Sequence, residues 1–345
     1  MLDPGAREAV RPALEQLQAA GMELCLYDGI DREPTVAMFE ACLARAREAA
    51  PDGVVGIGGG SAMDVAKLAA ALLDGGQSVG ELFGLNTLRR RNTFLACVPT
   101  TAGTGSEVSP NAILLEESSR LKKGVISPHL VPDLACVDPR LTLSVPPSTT
   151  AATGLDALTH CIEAYANRFA HPIVDLYALE GIRLISSSLP SALANGSNER
   201  ARTCLALGSF YGGLCLGPVN TGAVHALAYP LGSRFGVPHG LSNALLLPHV
   251  LRFNLPAAVE RYAQVALALR ASPADTPPAT AERGLDRLER LLAQCPIPRR
   301  LSALGVPREV LPELAAAAMT VTRLLKNNPR PVSESDALEI YHAAW

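Results

Sequence analysis

Charged and aromatic residues are both scarce in this chain of 345 residues. Only 18% of the residues are charged, the formal net charge is -3, and aromatic residues make up 4%. Proteins that bind nucleic acid usually carry a basic surface, so this charge balance argues against a nucleic-acid partner. The hydrophobic fraction of 48% instead supplies enough apolar material for a compact soluble protein.

Long uninterrupted apolar runs and closely paired cysteines are also missing. The most apolar stretch, residues 205–231, is broken by glycines and prolines, so a membrane span is not expected. The N-terminus has no charged-then-apolar signal pattern. The eight cysteines show no CxxC spacing and indicate buried thiols of a reducing compartment. We therefore expect a cytoplasmic protein.

The first 147 residues alternate between helical and strand-like patterns. Alternation of this kind predicts a parallel sheet with helices on its faces. The apolar periodicity is helical at residues 8–20, at residues 35–50 and from residue 62 onward, and the strand-like runs occupy residues 22–27, 53–58, 94–98, 112–115, 124–127 and 134–138.

From residue 148 onward only helical periodicity is found, interrupted by proline and glycine turn signals. The chain therefore predicts two domains. Residues 1–147 are expected to form an α/β nucleotide-binding domain, and residues 148–345 an all-helical domain.

Two loops at the ends of predicted strands could contact a ligand. Gly58, Gly59, Gly60 and Ser61 join a strand to a helix, and such a turn lets a phosphate approach backbone N–H groups at the helix N-terminus. The spacing is not the usual dinucleotide fingerprint, and a tight turn that merely needs small residues remains the alternative. The hydroxyl-rich loop of residues 99–107 could line a ligand or form a plain turn cluster.

The pair Asp156 and His160 stands at a spacing that places both side chains on one face of a helix. Two further histidines, His225 and His239, lie in glycine- and proline-containing segments downstream. One carboxylate and three imidazoles would bind a metal and leave a coordination position open, as catalytic sites require. The alternative is that each histidine packs beside the core.

Several of these segments occur in the order found in one known family. They are residues 58–67 (GGGSAMDVAK), 99–107 (PTTAGTGSE), 152–160 (ATGLDALTH), 225–232 (HALAYPLG) and 238–240 (PHG). With them the chain resembles the iron-dependent (group III) alcohol dehydrogenases over nearly its whole length.

The resemblance implies a Rossmann-like α/β domain followed by an all-α domain, the dehydroquinate synthase-like architecture, with cofactor and metal meeting in the cleft between them. It implies that Asp156, His160, His225 and His239 bind the metal. The cofactor contacts that it implies are Gly58, Gly59, Gly60, Ser61, Asp64, Thr100, Thr101, Thr104 and Lys123, although an exposed strand lysine without such a contact is the alternative for Lys123.

Two features depart from the family pattern. Some members have a second histidine where this chain has Tyr229, so a packing role is expected there and a proton-relay role is in doubt. The chain also begins where the family's domain normally has completed its opening strands. Asp3 would end the missing strand and favour NAD over NADP through the adenosine ribose. We expect a chain that lacks its first strands, with a fraying end and weakened dimer contacts.

The function expected from these observations is hydride transfer between NAD(H) and a small alcohol/aldehyde pair, or a hydroxy-acid/semialdehyde pair, in a homodimeric enzyme. The ligand set suits Fe²⁺, and Zn²⁺ could fill the site of purified protein. Three alternatives remain open: a metal-independent reductase of the maleylacetate type, a lyase of the dehydroquinate-synthase type, and a non-catalytic relative.

Overall fold

The computed structural model describes residues 1–119 and 121–345 and separates them into two compact units. The first unit comprises Met1–Thr101 and Gly105–Ser144, and the second comprises Ala102–Thr104 and Val145–Trp345. Among the described residues, every strand lies in the first unit, whereas the long second segment is helical. The predicted fold class, an α/β domain followed by an all-α domain, is therefore confirmed.

The described residues of the first unit form two three-stranded sheets and three α-helices. One sheet has the order β1-β3-β6 with parallel pairing throughout, and the other has the order β2-β5-β4. The helices are α1 (Arg7–Ala19), α2 (Val36–Ala49) and α3 (Gly60–Leu72), and the strands are β1 (Gly53–Gly58), β2 (Gly84–Leu85), β3 (Phe94–Pro99), β4 (Asn111–Glu116), β5 (Leu121–Ile126) and β6 (Leu134–Ala135).

Two predictions about this unit are wrong. The apolar run of residues 22–27 forms no strand, and Met22 and Leu26 are exposed. A hydrogen bond from the Leu2 N–H to the Tyr27 carbonyl is present, but no ladder of strand hydrogen bonds forms. The sheets are also not all parallel, because β4 and β5 pair in antiparallel register. A short reverse connection permits antiparallel pairing, whereas parallel strands need a longer crossover.

Helix α3 is the centre of the first unit. It begins directly after β1, and almost every one of its side chains is buried. Met63 and Ala66 pack on the β1–β3 sheet, while Leu68 and Leu72 pack with side chains of α2 and β4. Burial of each of the methionine and leucine side chains contributes about 1.5–3 kcal/mol. The start of α3, where the glycine turn lies, is thus held by a packed helix rather than a loose loop.

The second unit buries one large aliphatic core among its helices. Proline at the first helical position and side-chain caps mark several of the starts, as with His171 before α5 and Ser333 before α13. No helix among the described residues combines the length and apolarity needed to cross a bilayer. The helices are α4 (Pro147–Tyr165), α5 (Pro172–Ala194), α6 (Glu199–Leu216), α7 (Ala223–Phe235), α8 (His239–Asn254), α9 (Val259–Ala268), α10 (Pro277–Ala293), α11 (Leu311–Met319), α12 (Thr322–Leu325) and α13 (Glu334–Ala344).

Candidate functional site

The glycine turn of the first unit leaves the N-terminus of α3 open. Gly59 is the residue before the helix, and no side chain caps the first turn. A Cβ on Gly59 would meet nothing closer than the Thr101 hydroxyl, at 3.5 Å. The neighbouring loop is tied to the turn by a 2.9 Å hydrogen bond from the Thr100 N–H to the Gly58 carbonyl. This turn therefore offers uncapped N–H groups to an anionic group such as a pyrophosphate.

Asp3 lies directly beside this turn. Residues 1–3 run parallel to β1, with hydrogen bonds of 2.8 Å from the Ile57 N–H to the Met1 carbonyl and from the Asp3 N–H to the Ile57 carbonyl. Gly58 has a φ of +151°, and a Cβ built on it would lie 2.6 Å from the Cβ of Asp3. The expected fraying end is therefore wrong for residues 1–3, which are hydrogen-bonded to β1 through an isolated bridge at Leu2. The contact predicted between Asp3 and the cofactor stays a prediction.

Asp64 fastens the helix of the glycine turn to the rest of the unit. One of its carboxylate oxygens accepts from the Ser106 hydroxyl at 2.6 Å and the other from the Ile113 N–H at 2.9 Å. Burial raises the pKa of Asp64, although nearby Lys67 opposes the shift. The structure thus gives Asp64 an internal role, and its predicted contact with the cofactor stays a prediction.

The predicted cofactor lysine is already paired within the first unit. The Lys123 ammonium lies 2.6 Å from a Glu116 carboxylate oxygen and 5.2 Å from the centroid of the Phe83 ring. Its neighbour Lys122 is far more buried and pairs with Glu33. A cofactor contact by Lys123 stays a prediction, and it would have to compete with the Glu116 pair. The last predicted loop residue, Thr104, belongs to the second unit.

Asp156 and His160 lie on α4, as their spacing predicts. Both side chains are buried, and the Nε2 atom of His160 lies 4.0 Å from Oδ1 of Asp156. His225 is in the first turn of α7, and its ring stacks on that of His160 with centroids 4.6 Å apart. His239 is the first residue of α8. Four side chains from three helices therefore meet at one place.

Asp156, His160 and His225 lie close enough together to hold one metal ion, and His239 lies beside them, near Asp156. The Nε2 atoms of His225 and His239 lie 3.6 and 3.7 Å from Oδ1 of Asp156. Tetrahedral ligands bound at about 2.1 Å from a metal would be about 3.4 Å apart, so the nitrogens of His225 and His239 need to approach Oδ1 by only a few tenths of an ångström. The Nε2 atom of His160, at 4.0 Å, must move farther. Asp156, His160 and His225 form a group whose ligand atoms all lie within 4.8 Å of one another. A carboxylate with three imidazole nitrogens suits Fe²⁺ or Zn²⁺.

The close approach of α8 to α4 depends on the glycine after His239. A Cβ on Gly240 would lie 2.4 Å from the Ala152 carbonyl oxygen and 3.2 Å from the Cβ of Asp156. The absence of a side chain at this position lets the start of α8 rest against α4. The Pro-His-Gly segment therefore holds His239 at the distance from Asp156 that a shared ion needs.

The ionisable groups of this site perturb one another strongly. Burial lowers the pKa of His160 to about 4, although Asp156 opposes the shift. Burial acts in the same direction on His225, but the Glu163 and Asp156 carboxylates outweigh it and raise its pKa to about 9. Burial would raise the pKa of Asp156, but His160 and His239 hold it far below its usual range. The site therefore concentrates negative potential that a cation can neutralise.

One side of the site is more accessible than the other within the second unit. The His239 side chain is 28% exposed, compared with 3% for Asp156 and 4% for His225. The Tyr229 ring lies 6.1 Å from the His239 ring, one helical turn after His225. Tyr229 therefore lies beside the more accessible ligand, and both its packing role and its relay role stay predictions.

Two residues of the site were not predicted. Glu163 accepts a hydrogen bond from the His225 ring, with its Oε2 atom 2.5 Å from Nδ1. The Asn243 amide donates to Oδ1 of Asp156 at 2.6 Å and lies 3.1 Å from Nε2 of His225. Helical spacing is the one signal that could have found them, because Glu163 follows His160 by three positions and Asn243 follows His239 by four.

Two family models match the chain and together cover most of it. Residues 1–139 match the model described as iron-containing alcohol dehydrogenase. Residues 150–345 match the model described as the C-terminal part of the Fe-containing alcohol dehydrogenase family.

Individual relatives give the same result. The chain is 42% identical over 333 residues to long-chain-alcohol dehydrogenase 1 of Geobacillus thermodenitrificans, which covers 95% of this chain and 84% of that protein. The crystal structure of a 1,3-propanediol oxidoreductase superposes with a TM-score of 0.96 at 34% identity, covering 100% of this chain and 91% of that one. Sulfoacetaldehyde reductase from Bifidobacterium kashiwanohense, solved in complex with NAD+, superposes with a TM-score of 0.88 at 29% identity, covering 100% and 90%.

Proposed function

The chain belongs to the iron-containing alcohol dehydrogenase family, and from this premise we propose that it transfers a hydride between NAD(H) and a small alcohol or aldehyde. The observation that carries the proposal is the convergence of three imidazole nitrogens on one carboxylate oxygen at 3.6–4.0 Å. A packed core does not need such an arrangement, because buried imidazoles and carboxylates are costly unless they are paired. The family relationship and this geometry support an oxidoreductase rather than a lyase or a non-catalytic relative.

We propose that Asp156, His160, His225 and His239 hold Fe²⁺. Bound there, iron supplies a Lewis acid that polarises a substrate oxygen, and NAD supplies the hydride acceptor. The four side chains fix the position of the ion, and the greater exposure of His239 leaves a side from which a substrate oxygen can approach. The burial of the other three residues keeps water from that part of the site.

The cofactor is proposed to bind at the glycine turn of the first unit. Its pyrophosphate would meet the N–H groups of Gly59, Gly60 and Ser61, where the dipole of α3 is favourable. Asp3 would accept hydrogen bonds from the adenosine ribose hydroxyls. Because a carboxylate repels a 2′-phosphate, we propose a preference for NAD over NADP.

The substrate class stays broad in this proposal. The similar proteins carry names that range from a long-chain-alcohol dehydrogenase to a sulfoacetaldehyde reductase. These names share the interconversion of an alcohol with an aldehyde, which is the reaction class proposed here. A panel of primary alcohols and aldehydes of increasing chain length would rank substrates by kcat/KM.

Removal and return of the metal test the proposed function. Chelation should abolish NADH formation from a primary alcohol, and Fe²⁺ should restore it. We expect Zn²⁺ to fill the site but to support less activity. Full activity in protein shown by elemental analysis to be metal-free would point to a metal-independent reductase and contradict the proposal.

We propose further that the enzyme is a cytoplasmic homodimer. Large apolar side chains are exposed on one face of α5, among them Ile173 at 60% and Leu176 at 71%, and such a face favours association. The scattered cysteines agree with a reducing compartment. Light scattering coupled to size-exclusion chromatography would measure the mass, and a monomer across the micromolar range would contradict the dimer.

A further inference from the structure

Glu163 is a buried glutamate that no sequence motif pointed to. It lies on α4, and 7% of its surface is exposed. Both carboxylate oxygens are used: Oε1 accepts from the Val224 N–H at 2.6 Å, and Oε2 lies 2.5 Å from Nδ1 of His225. The carboxylate thus grips two consecutive residues at the start of α7, a separate helix. A buried charge held this closely is costly unless its contacts repay the loss of water.

The contact with Glu163 determines which nitrogen of His225 carries the proton when the ring is neutral, as it must be to bind a metal. A carboxylate only accepts hydrogen bonds, so Nδ1 must be the donor toward Oε2. The other nitrogen, Nε2, faces Oδ1 of Asp156 at 3.6 Å. In the neutral ring its lone pair is then directed into the site. A metal ligand needs this tautomer, because only an unprotonated nitrogen can bind the ion.

We propose that Glu163 is a positioning residue that holds the His225 ring in the tautomer and orientation required for metal binding. The inference rests on the proposed function, since it takes His225 as a metal ligand. Carboxylates that accept from a ligating imidazole commonly fix its orientation and raise its basicity. Here the same carboxylate also fixes the backbone at Val224, so ring and helix start are held together.

The surroundings of Glu163 are shaped to keep it in place. A Cβ on Gly222 would lie 3.2 Å from Oε1, so a larger residue at that position would press on the carboxylate. Behind the carboxylate a small internal pocket is lined by Tyr262 and by the Asn254 and Asn328 amides, which exchange hydrogen bonds of 2.7 and 2.8 Å. These polar groups give the charge a more favourable environment than an aliphatic core would.

Replacement of Glu163 by glutamine tests the proposal because the shape changes little while the hydrogen-bond roles conflict. If the amide oxygen accepts from the Val224 N–H, the amide NH₂ faces Nδ1 and stabilises the tautomer with its proton on Nε2. If the amide is turned over, its NH₂ opposes the Val224 N–H. In the first case the metal loses a ligand lone pair, and in the second a buried donor is left unsatisfied.

The experiment measures binding of Co²⁺ to metal-free protein by competition with a chelator, and records the visible absorption of the Co²⁺ form. We expect Glu163→Gln to weaken Co²⁺ binding by about 10–100-fold and to alter the Co²⁺ spectrum. Tyr262→Phe is the matched control, since it changes the same pocket without touching a ligand. We expect Tyr262→Phe to bind Co²⁺ with an affinity within about threefold of the wild type, or roughly 0.7 kcal/mol.

Two further variants separate the possible outcomes. Glu163→Asp keeps the charge but is one methylene shorter, so we expect an affinity between those of wild type and Glu163→Gln, which provides a second test if the glutamine variant does not fold. His225→Ala removes the ligand itself. If Glu163→Gln binds Co²⁺ with wild-type affinity and spectrum while His225→Ala does not, the positioning role is refuted and the metal centre stands. If His225→Ala also binds normally, the proposed metal centre is refuted as well.

Discussion

The glycine at the start of α8 offers a sharp test of how the site is assembled. Gly240→Ala adds one methyl group at a point where a Cβ would lie 2.4 Å from the Ala152 carbonyl oxygen. Real Cβ atoms do not approach a backbone oxygen so closely, so one of the two helices must move. The obstacle is backbone of α4, which cannot rotate away as a flexible side chain would. We therefore expect the substitution to separate His239 from Asp156.

The sign of the change in stability caused by Gly240→Ala distinguishes this steric clash from ordinary helix propensity. Within a helix, alanine is intrinsically better than glycine by about 0.8–1 kcal/mol, so propensity alone predicts stabilisation. Overpacking of a rigid interior costs about 1–3 kcal/mol and should prevail. In a domain of roughly 200 residues each lost kcal/mol lowers the Tm by about 2–4 °C.

The assay follows thermal unfolding of the metal-free protein together with Fe²⁺ or Co²⁺ content after loading. Gly80→Ala is the control, because a Cβ there would meet nothing within 4 Å. We expect Gly80→Ala to unfold at a temperature near that of wild type and to take up the same amount of metal. A Gly240→Ala protein that is as stable as wild type and retains full metal would refute the claim that this contact holds His239 in place.

The remaining predictions concern single side chains. His239→Ala should lose metal and turnover together while far-UV circular dichroism stays unchanged, because His239 only begins α8 and is partly exposed; full metal content would contradict its role. Asp3→Ser should raise kcat/KM with NADP relative to NAD by roughly tenfold, or about 1.4 kcal/mol, and an unchanged ratio would refute the role of Asp3. The hydrogen bond from Arg91 lowers the pKa of Asp133 in the folded protein. The ionised Asp133 therefore stabilises the fold fully above the ordinary carboxyl pKa, and this stabilisation is lost as the pH falls through the lowered pKa of the folded state. We expect the difference in free energy of unfolding between wild type and Asp133→Asn to become smaller as the pH falls. A difference that stays constant with pH would contradict this.

Local periodicity predicted the parts of the fold that local interactions determine. The strand ending at Gly58, the helix that follows it and the change to helices near residue 147 all result from apolar spacing and turn residues that neighbours in sequence supply. Asp156 and His160 are also predictable, because one helical turn brings them together whatever the tertiary structure.

The features that the sequence did not predict depend on contacts between distant segments. The run of residues 22–27 is apolar enough for a strand, but a strand needs a partner whose position the run does not encode. The antiparallel pairing of β4 with β5 likewise depends on a connection that periodicity does not describe. Glu163 meets the site through a ring on another helix. Its spacing of three from His160 places it near the same helix face, but a glutamate at that spacing is usually solvated, so the spacing alone does not predict the buried contact.

The arrangement of the candidate ligands on three helices has a consequence for the lifetime of the protein. Residues 156 and 239 are far apart in the chain, so an ion held by both would act as a removable cross-link of the folded state. Mass action then makes unfolding depend on metal supply: at a free ion concentration of 100 times Kd, the folded form gains about 2.7 kcal/mol. Metal-starved molecules would therefore unfold and be degraded sooner, so the amount of enzyme, as well as its activity, would follow the availability of iron.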